Sequence, residues 1–151
     1  MKKIIILISL FFATSAQSQL LYLEDDFVII ARNLLSEMKC YPEDFPLEFT
    51  NSLTEAIDTT LILSEYKVFH YGVEKDAVNY TLRRPFKIVL SQSRWAQYSV
   101  YGSSVANEIK EKLVIHEYLF TLHIDDSDYQ SSTQIYQKIN FNRLLGTAIC
   151  N

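Results

Sequence analysis

The stretch from Leu113 to Leu122 constrains this chain most. Set on a helix at about 100° per residue, it is apolar nearly all round and has no face to give to water. Such a segment must run through the middle of a domain. It is also too short to span a bilayer, which takes about 18 apolar residues. The residues before it supply the rest of the helix. Ser103 or Ser104 is a suitable N-cap, and Glu108 and Lys112 form a favourable i,i+4 pair. Val105, Ile109, Leu113, His116, Phe120 and His123 fall close to one line along this helix, which is expected to end near Leu122.

The elements around that helix read less clearly. Phe27 to Lys39 carries Phe27, Ile30, Leu34 and Met38 on one face, the pattern of an amphipathic helix, and Cys40-Tyr41-Pro42 ends it. Pro42 to Asn51 reads as a loop. Leu53 to Leu63 starts like a helix and finishes, from Thr59, like a strand. Glu65 to Tyr71 alternates like a strand, Val73 to Tyr80 looks turn-like, and Pro85 to Gln92 is the clearest strand. Trp95, just after it, is expected to pack on the central helix. A last helix should start near Ser132 and turn Ile135 and Ile139 inward. This order predicts one α+β domain: a small antiparallel or mixed sheet against a central buried helix, with N- and C-terminal helices. The 151 residues suffice for one core, and no repeat or linker divides them.

Composition removes several functions. The three glycines, Gly72, Gly102 and Gly146, are far apart. Neither a dinucleotide-binding turn nor a phosphate-binding loop can be built without clustered glycines. Two cysteines are too few for a multi-cysteine zinc ribbon or most iron–sulfur sites.

Residues 1–18 read as a secretory signal peptide: Lys2-Lys3, the apolar run Ile4–Ala13, then small residues at Ala16 and Ser18. Residues 19–151 then form the exported domain, in the periplasm or outside the cell. Removing the leader takes away two lysines and no acid, so the formal charge goes from −4 to −6. That charge argues against nucleic acid and anionic membrane surfaces as partners, and no later stretch is apolar enough to span a membrane. The sequence itself names no partner; an envelope protein or a peptide is the candidate that the expected compartment offers. In an oxidising compartment Cys40 and Cys150 are expected to pair. They would close a loop of about 100 residues, an effect of roughly 4–5 kcal/mol by loop entropy.

One window carries chemistry: His116-Glu-Tyr-Leu-Phe-Thr-Leu-His123, followed by Asp125, Asp126 and Asp128. His-Glu on a helix opens the pattern H-E-x-x-H, in which two histidines one turn apart ligate zinc and the glutamate serves as base. Here the i+4 position is Phe120. His123 stands at i+7, about 10.5 Å further along a straight helix, too far for one zinc with bonds of about 2 Å. If the helix ends near Leu122 and the chain turns back, Asp125 or Asp126 approaches His116 and His123. The candidate metal ligands are thus His116, His123 and Asp126, with Glu117 as candidate catalytic base and zinc as the candidate metal, the cofactor itself being left open by the sequence. The structural alternative is a packed, hydrogen-bonded His-Glu pair, with the aspartates capping the next helix. Either way, a His-Glu pair in a nearly all-apolar helix half must find partners, because burying it unpaired is costly. Asp126 does not begin a calcium-binding EF-hand loop, since Ser131 and Gln137 stand where glycine and glutamate are needed.

These residues resemble a family of small exported bacterial proteins of unassigned function. Its pattern runs D-A-x-N-x, a strand ending near R-W, a helix with H-E-Y-L, then E-D-x-x-Y-x-x-S. This chain has Asp76-Ala77-Val78-Asn79, Arg94-Trp95, His116-Glu117-Tyr118-Leu119, and Asp125-Asp126-Ser127-Asp128-Tyr129 with Ser132 beyond, over roughly residues 70–133. The family often carries glycine at the positions of Phe120 and His123, which moves weight from His123 to His116, Glu117 and Asp126. Its order of strand then His-Glu helix is similar to the minimal core of zinc metallopeptidases. The resemblance implies a metallopeptidase-like scaffold, active or degenerate. Two expectations stand side by side: a metal-dependent hydrolase or its relic, and a non-catalytic envelope domain in which His116 and Glu117 belong to a hydrogen-bond network.

Overall fold

The computed structural model describes residues 23–98 and 101–146. The expected leader lies outside them, and so does Cys150, the expected partner of Cys40. Helix α1 is described over 23–39. It buries Leu23, Phe27, Ala31, Leu34, Leu35 and Met38. The buried line therefore passes through Ala31 and Leu35, with Ile30 at its edge rather than on it. Helix α2 spans Leu47–Thr59 and starts directly after Pro46. The expected loop from Pro42 to Asn51 is accordingly cut short. A proline before a helix costs no hydrogen bond, because the first N–H groups have no partner within the helix.

Strand β1 is Leu61–Glu65, β2 Val68–His70, β3 Val73–Lys75, β4 Ala77–Tyr80 and β5 Lys87–Ser91. The main sheet is mixed, in the order β1-β5-β4. β1 runs parallel to β5, and β4 antiparallel to it. β2 and β3 form a separate antiparallel hairpin. Two expectations change here. The strand expected from Glu65 to Tyr71 is broken at Tyr66-Lys67, and the turn-like segment Val73–Tyr80 holds two strands. These strands are three and four residues long, too short for alternation to show in sequence. Their pairing fixes them: Tyr71 and Gly72, at φ 49° and 77°, make the two-residue turn that brings β3 back along β2.

In β5 both faces are covered. Ile88 and Leu90 enter the main core, while Val89 packs with Val78 and Val68 of the hairpin on the other side. A short helix, α3, follows at Gln92–Tyr98, so the expected strand stops at Ser91 and Arg94-Trp95, set near a strand end by the family pattern, lie on a helix that was not expected. It buries Trp95 between α1 and the central helix. The indole Nε1 donates to Asp26 at 3.2 Å, and Lys110 Nζ lies 4.6 Å from the ring centre.

The central helix, α4, spans Ser103–Thr121. Gly102 holds its N-cap position and no side chain caps it, so neither Ser103 nor Ser104 serves as expected. The Glu108–Lys112 pair forms at 2.7 Å. Val105 is 48% exposed and Ala106 is buried instead, so the expected line does not describe the first turns. From Leu113 to Leu119 every residue is buried, as an all-round apolar stretch requires. Helix α5, Gln130–Leu144, packs against α4 and turns Ile139 inward, with Ile135 partly covered. The architecture is α+β, a small mixed sheet on a central helix flanked by α1 and α5. No helix among the described residues is long and apolar enough to cross a membrane.

Candidate functional site

His116 and Glu117 sit in the enclosed half of α4, 7% and 4% exposed. Each meets its need for a partner differently. The Nδ1 atom of His116 lies 2.9 Å from Oδ2 of Asp126, which is itself buried. The other oxygen of Asp126 accepts the backbone N–H groups of Ser131 at 2.7 Å and Ser132 at 3.2 Å. Asp126 therefore caps the start of α5 and holds the histidine at once. The ring of Tyr129 stacks on the imidazole with centroids 3.7 Å apart and planes at 8°. Phe120 meets it edge-on at 4.9 Å. The residue at i+4, where a zincin carries a second ligand, here packs against the first.

The charges follow from this packing. Burial lowers the pKa of His116 from its ordinary value, and nearby Lys75 pushes the same way. Asp126 only partly opposes this. Burial alone would raise Asp126, but the bonds from Ser132 and His116 outweigh it and hold the carboxyl below its usual range. An ionised Asp126 facing a neutral imidazole fixes the tautomer: Nδ1–H donates to the carboxylate. Nε2 makes no hydrogen bond among the described residues and is not closed off from solvent.

Glu117 is governed by desolvation, which pushes its carboxyl up to about 8. The side chain of Asn79 partly opposes the rise, and Asp76 adds to it. Burial thus favours the neutral acid over the carboxylate. Asn79, on β4, donates from Nδ2 to the Glu117 carbonyl oxygen at 2.6 Å and to Thr121 Oγ1 at 3.0 Å. Its own Oδ1 is buried with no donor from any other side chain or backbone group. Tyr129 belongs to the same neighbourhood, its hydroxyl pushed up to about 12 by burial and by Glu117, Asp76 and Asp126.

His123 is elsewhere. Helix α4 stops at Thr121, and His123 takes the left-handed conformation at φ 59°. Its N–H bonds the Phe120 carbonyl at 2.9 Å, and the Ile124 N–H bonds the Leu119 carbonyl at 2.9 Å. That is the Schellman pattern of helix termination, with His123 at the position glycine usually takes. The turn sends its ring against Phe86, edge-on at 5.9 Å, beside a groove of about 220 Å³ lined by Ser52, Glu55 and Arg84. The proposed ligands His116, His123 and Asp126 are therefore not gathered round one point. Among the described residues, no three His, Cys, Asp or Glu side chains are grouped to hold a metal ion. Zinc does not fit the donors present: Asp126 spends its oxygens on two backbone N–H groups and an imidazole N–H, and no third His, Cys, Asp or Glu is grouped with the pair among the described residues.

Three contributors were not singled out as site residues by sequence: Asn79, Tyr129 and Ser132. All three stand in the motifs quoted above, beside His116, Glu117 and Asp126, and they meet at one place in the fold. Arg94 and Trp95 do not join them. Arg94 lies near Glu74 and Asp76, at 3.8 and 3.9 Å, and Trp95 sits under α1. What fold and site define is an α+β domain with a mixed three-stranded sheet and a polar clamp between its central and C-terminal helices. Comparison with family models, curated proteins and solved structures finds no match for this chain.

Proposed function

We propose that this protein is a non-catalytic domain of the exported compartment that binds an envelope protein or peptide, and that its metallopeptidase-like His-Glu helix serves as a structural clamp. The mutual commitment of His116 and Asp126 carries this reading. A metal site needs several lone pairs turned to one point, whereas the Asp126 oxygens are spent on His116 and on the start of α5, which leaves His116 Nε2 as the pair's one open donor atom with no further ligand grouped beside it among the described residues. The Glu117 environment supports it too, because burial favours the neutral carboxyl over the carboxylate that a base would use. The leader-like residues 1–18 and the acidic charge of the remainder support the compartment and the partner class.

Metal content decides between this and the hydrolase reading. Protein purified without an affinity tag, loaded with zinc and dialysed, is expected to retain none in stoichiometric amount. One zinc per chain, lost in His116→Ala and accompanied by peptide hydrolysis that Glu117→Gln abolishes, would overturn the proposal.

A further inference from the structure

The sheet face turned away from α4 is only half covered. Residues paired across strands share a face, so two rows can be read from the register. Leu63, Val89 and Val78 form one row, and Val68 of the hairpin packs over its Val89 and Val78. Leu61, Lys87 and Tyr80 form the next, where Leu61 is 43% and Tyr80 53% exposed. Leu82, just beyond β4, is 99% exposed. β1 borders this face as an edge strand. Leu61 N–H bonds the Phe86 carbonyl, so Leu61, Leu63 and Glu65 point their backbone groups at β5, and Ile62 and Ser64 point theirs outward. Those outward groups take no backbone partner among the described residues.

The charge here runs against the rest of the chain. No Asp or Glu occurs between Asp76 and Glu108, while Arg83, Arg84, Lys87 and Arg94 do. Arg84 lies 3.6 Å from Glu55, but Arg83 and Lys87 make no ion pair among the described residues. The opposite end of β1 is acidic, with Glu65 at its terminus and Glu24 bonded to Ser64 at 3.0 Å.

We infer that the β1 edge, with Leu61, Lys87 and Tyr80 beside it, docks an extended peptide segment of a partner protein that places apolar side chains on Leu61 and Leu63 and acidic ones at Arg83 and Lys87. An edge strand supplies main-chain hydrogen bonds to an added strand, and the side chains next to it supply selectivity. Complementary charge fixes which end of the segment lies where. This inference rests on the binding function proposed above and names the surface and the partner chemistry.

The probes are synthetic peptides of about ten residues that alternate valine and threonine, one set ending in three glutamates and the other in three lysines. The glutamate set is expected to bind and to shift the amide resonances of Ile62 and Ser64. Arg83→Glu with Lys87→Glu should weaken that binding at least about tenfold and make the lysine set the better ligand. All these residues are at the surface, so folding is not at stake. Ser64→Pro, which removes an outward N–H, should weaken both sets. Equal binding of the two sets, or shifts confined to another face, would remove this docking site while leaving the binding function standing. Binding through Arg83 and Lys87 to phosphatidylglycerol vesicles, with no binding of either peptide set, would overturn both the peptide partner and the protein-binding reading.

Discussion

His123 holds a backbone conformation that a side chain with a Cβ adopts at a cost. At φ 59° it closes α4 in the position where glycine is ordinarily found, and its ring gains only an edge contact with Phe86. His123→Gly is therefore expected to leave the fold intact and to raise stability by up to about 1 kcal/mol in chemical denaturation. A loss of more than that would mean that the ring carries packing its geometry does not suggest. His116, seven residues earlier, differs in every respect that matters: helical, buried, and bonded to Asp126. On a straight helix the two lie on one line, which is how the spacing presents them. A single left-handed residue is enough to separate them, and nothing in the identity of a histidine announces it.

Between elements, the join of α4 to α5 depends on one carboxylate. Asp126 caps α5 and anchors His116 of α4, so its loss removes a helix cap and leaves a buried imidazole N–H unpaired. Asp126→Ala should cost on the order of 3 kcal/mol, while Asp125→Ala, one residue away and exposed, should leave the denaturation midpoint close to unchanged. Similar costs for the two would show that the clamp does not hold the helices together. The elements themselves were legible to different degrees. The all-round apolar run of α4 and the alternation of Lys87 to Ser91 name their structures directly. β3 and β4 do not, because strands of three and four residues are held by pairing and by Val78 under Val68, not by their own pattern. α3 escapes for a similar reason: Trp95 and Tyr98 are its buried positions, and seven residues show too little of a period.

For the whole molecule, the clearest consequences are thermodynamic. Glu117 has its pKa raised from 4.5 to about 8 on folding, so the folded chain binds the extra proton between those values. Its contribution to stability is full below pH 4.5 and is lost as pH rises toward and through 8. His116 works the other way: its lowered pKa makes stability fall as pH drops below its unfolded value of about 6.5. Glu117→Gln keeps the size of the side chain, cannot ionise, and so removes the first slope. The variant is expected to gain on the wild type from pH 5 to pH 8, by a few kcal/mol at most. Parallel stability–pH curves would place an ionised carboxylate at 117. The ends of the chain offer a further test. Arg143 grips Glu37 of α1, at 2.6 and 2.8 Å, and Glu111 of α4, at 2.9 and 3.1 Å. Glu37 lies one turn before Cys40, and the seven residues from Arg143 to Cys150 can reach about 25 Å. Non-reducing peptide mapping should find Cys40 joined to Cys150, and reduction should cost roughly 4 kcal/mol. Thiols that label freely without reductant would refute the clasp. The amino-acid sequence alone settled that Leu113–Leu122 is a central helix, because an all-round apolar segment has only one place to go, and that His116 and Glu117 need partners there. Which groups answer that need was decided by the tertiary structure alone. Asn79 arrives from a strand 38 residues away and Asp126 from a turn that begins with a left-handed histidine. The solvation of a buried polar group depends on what folds over it, and that is not a local property of the chain.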